Sequence, residues 1–215
     1  MTTEFQPFPK IPRWSRDIII TEKIDGTNAC VVVEDTWDDP HDTVNTVRVL
    51  AQSRSRFITP EADNYGFAAW VREHAEELKG LGPGRHFGEW WGRGINRNYG
   101  ISDRRFSLFN VCRWDKDVSQ KIEAGKFRKP GEEVLVYAPP PACCGVVPVL
   151  YHGEMVTHFL ETYCNVTGTL DHLSCTGSVA APGWMKPEGI VIFHTASGHL
   201  FKKTLENDER AKGAQ

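Results

Sequence analysis

The run Ile18-Ile19-Ile20-Thr21-Glu22-Lys23-Ile24-Asp25-Gly26-Thr27-Asn28-Ala29-Cys30-Val31-Val32-Val33-Glu34 sets the frame for the rest of the chain. Two β-branched, apolar segments, residues 18–20 and 29–34, flank the polar tetrad Asp25-Gly26-Thr27-Asn28. That pattern predicts strand, tight turn, strand. It also leaves Lys23 at a strand end, two residues before a carboxylate. Taken alone, such a lysine is a solvated strand end and Asp-Gly is a turn, because short motifs recur by accident.

Outward from this segment the chain continues in short elements. Residues 44–52 alternate as a strand. Residues 61–79 carry Phe67, Trp70, Val71 and Leu78 at helical spacing and end at Gly80 and Gly82. Residues 86–91 and 106–111 read as aromatic-rich strands around a Gly-rich loop from 92 to 100. A strand is expected over 132–138 and a helix over 153–163. Residues 190–194 and 199–205 form a predicted hairpin over Ala196-Ser197-Gly198. Together these elements predict one α+β domain dominated by antiparallel strands.

Composition agrees. The chain has 215 residues, 40% hydrophobic and 25% charged, an ordinary balance for a globular domain rather than a disordered or fibrous one. No apolar run reaches the ~18 residues of a membrane span, and the first ten residues lack a secretory core, so the expectation is a cytoplasmic protein with no membrane partner. The net charge of −3 and pI of about 6.2 disfavour a protein that merely coats nucleic acid. They still allow a local basic groove, since Arg85, Arg93, Arg97, Arg104 and Arg105 fall close together. None of the six cysteines forms a C-x-x-C pair, and Cys143-Cys144 is poor zinc geometry. Cys30 and Cys112 sit in apolar runs and read as small core residues.

Four further stretches follow the lysine in order. They are Ser53-Arg54-Ser55-Arg56, Phe87-Gly88-Glu89, Phe106-Ser107-Leu108-Phe109-Asn110, and Pro187-Glu188-Gly189-Ile190-Val191 with Phe201-Lys202-Lys203 after it. Their order and spacing from Glu22 to Lys203 resemble the motifs of the covalent lysyl nucleotidyltransferases, the superfamily of polynucleotide ligases and capping enzymes. The details resemble ATP-dependent RNA ligases of the RNA-repair and editing branch. Asn28 stands where DNA ligases and capping enzymes place an arginine, and Gly88-Glu89-Trp90-Trp91-Gly92 looks like an RNA ligase feature. Asp25 departs from that branch, which often has histidine there.

The resemblance implies a single adenylyltransferase domain over residues 1–215, a ligase/ATP-grasp-like core of antiparallel sheets and flanking helices. No OB-fold is expected, since about ten residues follow the last motif, and segment 115–183 reads as a family-specific insertion. It implies ATP and Mg²⁺ or Mn²⁺ as cofactors, and RNA ends as partners, with nicked duplex or DNA as other polymers. An enzyme of this kind joins a 5′-phosphate to a 3′-hydroxyl through lysyl-AMP and an adenylated end. The alternatives are a DNA nick ligase using the same chemistry and a non-catalytic nucleic-acid-binding module on the same fold.

Roles follow by resemblance. Lys23 is the nucleophile. A lysine of pKa ~10.4 is neutral in only roughly one molecule in 2,500 at pH 7, so nearby cations are expected, with Lys202 and the metal nominated. Glu188 is the metal carboxylate, direct or through water. Asn28 meets the α-phosphate or the 3′-end, Glu22 lies by the adenine, Glu89 accepts from the ribose hydroxyls and Phe109 stacks on the base. Asp25 orients Lys23, holds a metal-bound water, or is only the turn residue. Arg54 and Arg56 point to one face if extended and bind phosphate; Arg93 and Arg97 reach substrate strands. The last motif normally holds two lysines separated by one residue. Here Lys202 and Thr204 take those places, and Lys203 points away unless a bulge turns it inward.

Overall fold

The computed structural model describes residues 5–36, 46–123, 137–156 and 165–209. Among the described residues ten strands form two sheets: β1 (Asp17–Lys23), β2 (Thr27–Thr36), β3 (Thr46–Ser53), β4 (Phe57–Ile58), β5 (Gly84–Gly92), β6 (Arg104–Leu108), β7 (Cys144–Val146), β8 (Val149–Glu154), β9 (Gly189–His194) and β10 (His199–Thr204). The first sheet runs β10-β9-β1-β8 and the second β4-β3-β2-β5-β6-β7. All pairings are antiparallel except β6 with β7. The helices are α1 (Phe67–Glu73), α2 (Ala75–Leu78), α3 (Val111–Trp114), α4 (Lys116–Glu123) and α5 (Asn165–Thr176). Among the described residues no helix is long and apolar enough to cross a membrane.

The unbroken apolar runs of β1 and β2 have a common cause. Each is a central strand covered on both faces, so neither needs the polar alternation of a half-exposed strand. Ile18 and Ile20 pack with Ile190, Ile192, Leu170 and Leu173 under α5. Ile19 faces the other way, in a cluster with Trp91, Tyr99 and Val147. Val31 and Val33 of β2 pack with Phe67, Val71, Trp90 and Phe106 under α1.

The expected hairpin at Asp25-Gly26 is not formed. β1 pairs with β8 and β9, whereas β2 pairs with β3 and β5. The chain therefore crosses between sheets directly after Lys23, and the lysine sits where the two sheets diverge. Gly26 makes the crossing possible, since a β-carbon there would collide with the Trp90 carbonyl and the Trp91 side chain.

Other expectations are corrected locally. The helix over 61–79 is broken into a 3₁₀ turn at Pro60–Ala62, α1, α2 and a second 3₁₀ turn at Lys79–Leu81. The strand over 106–111 stops at Leu108, and Val111 begins α3. Gly153 and Glu154 end β8 rather than start a helix; the helix of this region is α5, and 157–164 lie outside the described residues. The strand expected over 132–138 falls mostly outside them too. The described residues of segment 115–183 supply β7 to one sheet and β8 to the other. The hairpin of β9 and β10 forms as expected, in register from His194–His199 to Gly189–Thr204.

Candidate active site

Strand alternation puts Lys23, Thr21 and Ile19 of β1 on one face, with Val191 and Phe193 of β9 and Lys202 and Leu200 of β10 beside them. The facing wall comes from the second sheet: Asn28 and Cys30 of β2, Glu89 and Phe87 of β5, and Gln52 of β3. These side chains line a cleft of about 790 Å³ that Arg54, Phe109 and Cys112 also border.

Lys23 lies at the cleft floor. Its Nζ donates to Glu188 Oε2 at 2.6 Å, with side-chain exposures of 20% and 5%. Register explains the contact. Lys23 pairs with Gly189, so Glu188 extends from the end of β9 beside it. Gly189 is required in turn, because a β-carbon there would strike the backbone of Lys203 and Thr204. The amine's ion-pair partner is thus a carboxylate. Lys202 lines the same cleft from β10, two strands over and in register with Thr21 rather than Lys23.

Glu89 pairs across the strands with Asn28, and its Oε1 accepts the Gly26 N–H at 2.9 Å. Burial pushes its carboxyl up to about 7; the Gly26 N–H and Lys23 oppose the rise, while Glu188 and Asp25 add to it. A folded-state value above the unfolded one means that the protonated form carries the stability. That contribution is complete below pH ~4.5 and is lost as pH rises through about 7. Glu89→Gln, neutral at every pH, should therefore stabilise the fold at pH 8 by roughly 3 kcal/mol and leave it almost unchanged at pH 4.5. Thermal melts at both pH values test this. A melting temperature shift of several degrees confined to the higher pH is expected, and equal shifts at both would contradict it.

Phe109, just beyond β6, is 42% exposed, which suits an aromatic cleft wall better than a core position. Its N–H bonds the Phe87 carbonyl at 3.0 Å. Cys30 is buried as expected but borders the cleft.

Glu22 borders the cleft, yet its carboxylate turns into the loop after α5. It accepts from Ser178 Oγ at 2.5 Å and from the Val179 and Ala180 N–H groups at 2.8 and 2.9 Å. Burial raises its pKa against those three hydrogen bonds. It bolts this loop to β1.

The arginines divide differently from expectation. Residues 54–56 form a tight connection from β3 to β4, closed by Ser53 N–H to Arg56 O at 2.8 Å. Arg54 borders the cleft, while Arg56 donates to the Ala62 carbonyl at 3.3 Å, so the two do not share a face. Arg93 is exposed beside Trp70 and Arg104 in a shallow groove apart from the cleft. Arg97 points inward and pairs with Asp25 at 3.2 Å. Lys203 lies on the face away from Lys202 and pairs with Asp208 at 3.3 Å. Thr204 donates its hydroxyl to the Glu206 carbonyl at 2.9 Å and brings no charge. The last motif therefore presents one lysine to the cleft.

The sequence reading missed Ser178, Asn96 and Tyr99. Nothing in their spacing ties them to the lysine segment; the Asn-rich run Asn96-Arg97-Asn98-Tyr99 was the available sign of an unusual loop.

Two sheets diverge at a part-buried lysine–carboxylate pair, and solved RNA ligase structures share this fold. A mutant Naegleria gruberi RNA ligase with AMP and Mn superposes with a TM-score of 0.51 and 17% identity, over 87% of this chain and 49% of that one. Another mutant of that enzyme, with ATP and Mn, gives 0.52 and 16%, over 92% and 52%. The chain thus spans about half the length of these relatives. No curated protein sequence matches it significantly. The family model for RNA ligase matches residues 16–205, and the chain belongs to the RNA ligase family.

Proposed function

We propose that this chain forms one adenylyltransferase domain that acts as an ATP-dependent RNA ligase, sealing 5′-phosphate and 3′-hydroxyl ends. The observation that carries the reading is the 2.6 Å contact of Lys23 with Glu188 at the floor of a cleft walled by Glu89 and Phe109. The Naegleria structures with AMP or ATP and Mn support the nucleotide and the metal.

In the first step the Lys23 amine, after losing a proton, attacks the α-phosphorus of ATP. A P–N bond forms, and the P–O bond to pyrophosphate breaks. The AMP then passes to an RNA 5′-phosphate, breaking the P–N bond and returning the lysine. A 3′-hydroxyl attacks that end, forming the phosphodiester and releasing AMP. Each is an in-line displacement, so positioning and charge neutralisation dominate.

Glu188 accepts the Lys23 proton. Phe109 stacks on adenine, Glu89 accepts from the ribose, Asn28 donates to the α-phosphate, and Arg54 and Lys202 neutralise the phosphates. The main chain at Glu22 borders the base. A divalent cation would supply Lewis-acid stabilisation of the phosphate charge. Among the described residues no group of three or more His, Cys, Asp or Glu gathers to hold a metal. That donor set fits magnesium or manganese held by Glu188 with water and phosphate oxygens, since magnesium requires only one or two protein carboxylates.

The test offers 5′-phosphorylated RNA, DNA and nicked hybrids with ATP and Mg²⁺. ATP-dependent sealing of RNA with release of AMP is expected. Sealing of DNA alone would replace this reading by the DNA nick ligase, and sealing of no polymer would reject it.

A further inference from the structure

The loop between β5 and β6 has an unusual backbone. Gly94, Asn96, Asn98, Tyr99 and Gly100 all adopt positive φ, at 75°, 42°, 61°, 49° and 64°. Asparagine tolerates this region, but a bulky tyrosine there is an outlier that surrounding structure must enforce. The enforcing contacts are visible. Tyr99 is 2% exposed, with its ring edge-on to Trp91 at 5.0 Å and tilted against Trp184 at 5.9 Å. The Asn98 side chain closes the loop by accepting the Gly94 N–H at 2.7 Å.

This shape delivers three side chains to the segment after Lys23. Tyr99 Oη accepts the Asp25 N–H at 2.7 Å. Asn96 Nδ2 donates to Asp25 Oδ1 at 3.1 Å and to the Gly26 carbonyl. Arg97 Nε donates to Asp25 Oδ2 at 3.2 Å. The same guanidinium donates through Nη1 to the Lys186 carbonyl at 3.3 Å, and its Nη2 lies 3.7 Å from Glu206.

Asp25 stands two residues after Lys23, and Lys186 two residues before Glu188. One guanidinium therefore spans the two segments that carry the lysine and its carboxylate, both just beyond the ends of their strands, where sheet hydrogen bonds no longer fix them. Arginine suits the task because its planar fork spreads five donors in fixed directions over acceptors that lie apart, a span a compact ammonium does not cover.

We propose that Arg97 is a positioning residue for adenylate formation, a clamp that sets Lys23 against Glu188 through Asp25 and Lys186. The proposal rests on the reading of Lys23 as the nucleophile. It assigns Asp25 to orientation of the lysine segment, one of the uses left open by the sequence.

The experiment measures single-turnover self-adenylylation with Mg-ATP for the wild type, Arg97→Ala and Arg97→Lys, with melting temperatures alongside. Misplacement of a reacting group by about an ångström costs on the order of a hundredfold. Arg97→Ala should therefore lose about a hundredfold in rate at saturating ATP, with the half-saturating ATP concentration within about threefold of wild type. Arg97→Lys keeps the charge and the aliphatic stem, so it reports even if the alanine variant fails to fold; a loss of at least about tenfold in rate is expected. Rates within about threefold of wild type would overturn the clamp alone. Parallel loss of ATP affinity and melting temperature would assign Arg97 to the fold and also overturn it. A folded wild type that forms no adenylate would remove the lysine reading, and the clamp with it.

Discussion

Lys23→Ala is expected to carry no AMP and to lose ATP-dependent sealing by more than about 10³-fold, while still joining RNA supplied with a chemically adenylated 5′ end. The loss is near complete because neither lysine of the β10 motif is placed to substitute. Lys202 is two strands away, and Lys203 is behind the sheet with Asp208. The third step breaks no bond to the lysine, so pre-adenylated RNA bypasses the defect. Denaturing electrophoresis after incubation with α-labelled ATP measures the first effect and product length the second. Label retained on the variant would show that the covalent step occurs elsewhere.

Glu188→Gln should slow adenylate formation by roughly 10²–10³-fold, the range expected when a positioned proton acceptor is lost. The glutamine keeps the shape but removes the negative charge that pairs with Lys23 at 2.6 Å and could bind a cation. Glu188→Asp keeps the charge and shortens the reach, so it should recover part of the rate. Single-turnover kinetics with melting temperatures alongside test this. A glutamine variant within tenfold of wild type, or an aspartate variant no better than the glutamine, would contradict the role.

The parts of the site legible in the sequence were those carried by strands. Lys23, Glu89 and Lys202 sit where a two-residue alternation already indicates direction, Glu188 is marked by the Gly189 that follows it, and the structure brings the four together at one cleft. What depends on loop geometry was not legible. Arg54 and Arg56 diverge because Ser53, the last residue of β3, closes a tight turn onto the Arg56 carbonyl. Arg97 turns inward because five residues near it take positive φ, which composition hints at but does not direct. Glu22 meets Ser178 across 156 residues of chain, a pairing no local pattern encodes. The fold shows the same division. The β9–β10 hairpin was readable from its short polar turn. The crossing at Gly26 looked like a hairpin, because Asp-Gly between apolar runs is the same signal whether the strands pair or part.

The most direct measurement is peptide mapping by mass spectrometry of the wild-type protein after incubation with ATP and Mg²⁺. An AMP group on the peptide containing Lys23, attached at that residue and removed by adding 5′-phosphorylated RNA, is the predicted result. AMP on a different residue, or folded protein that acquires none, would contradict it.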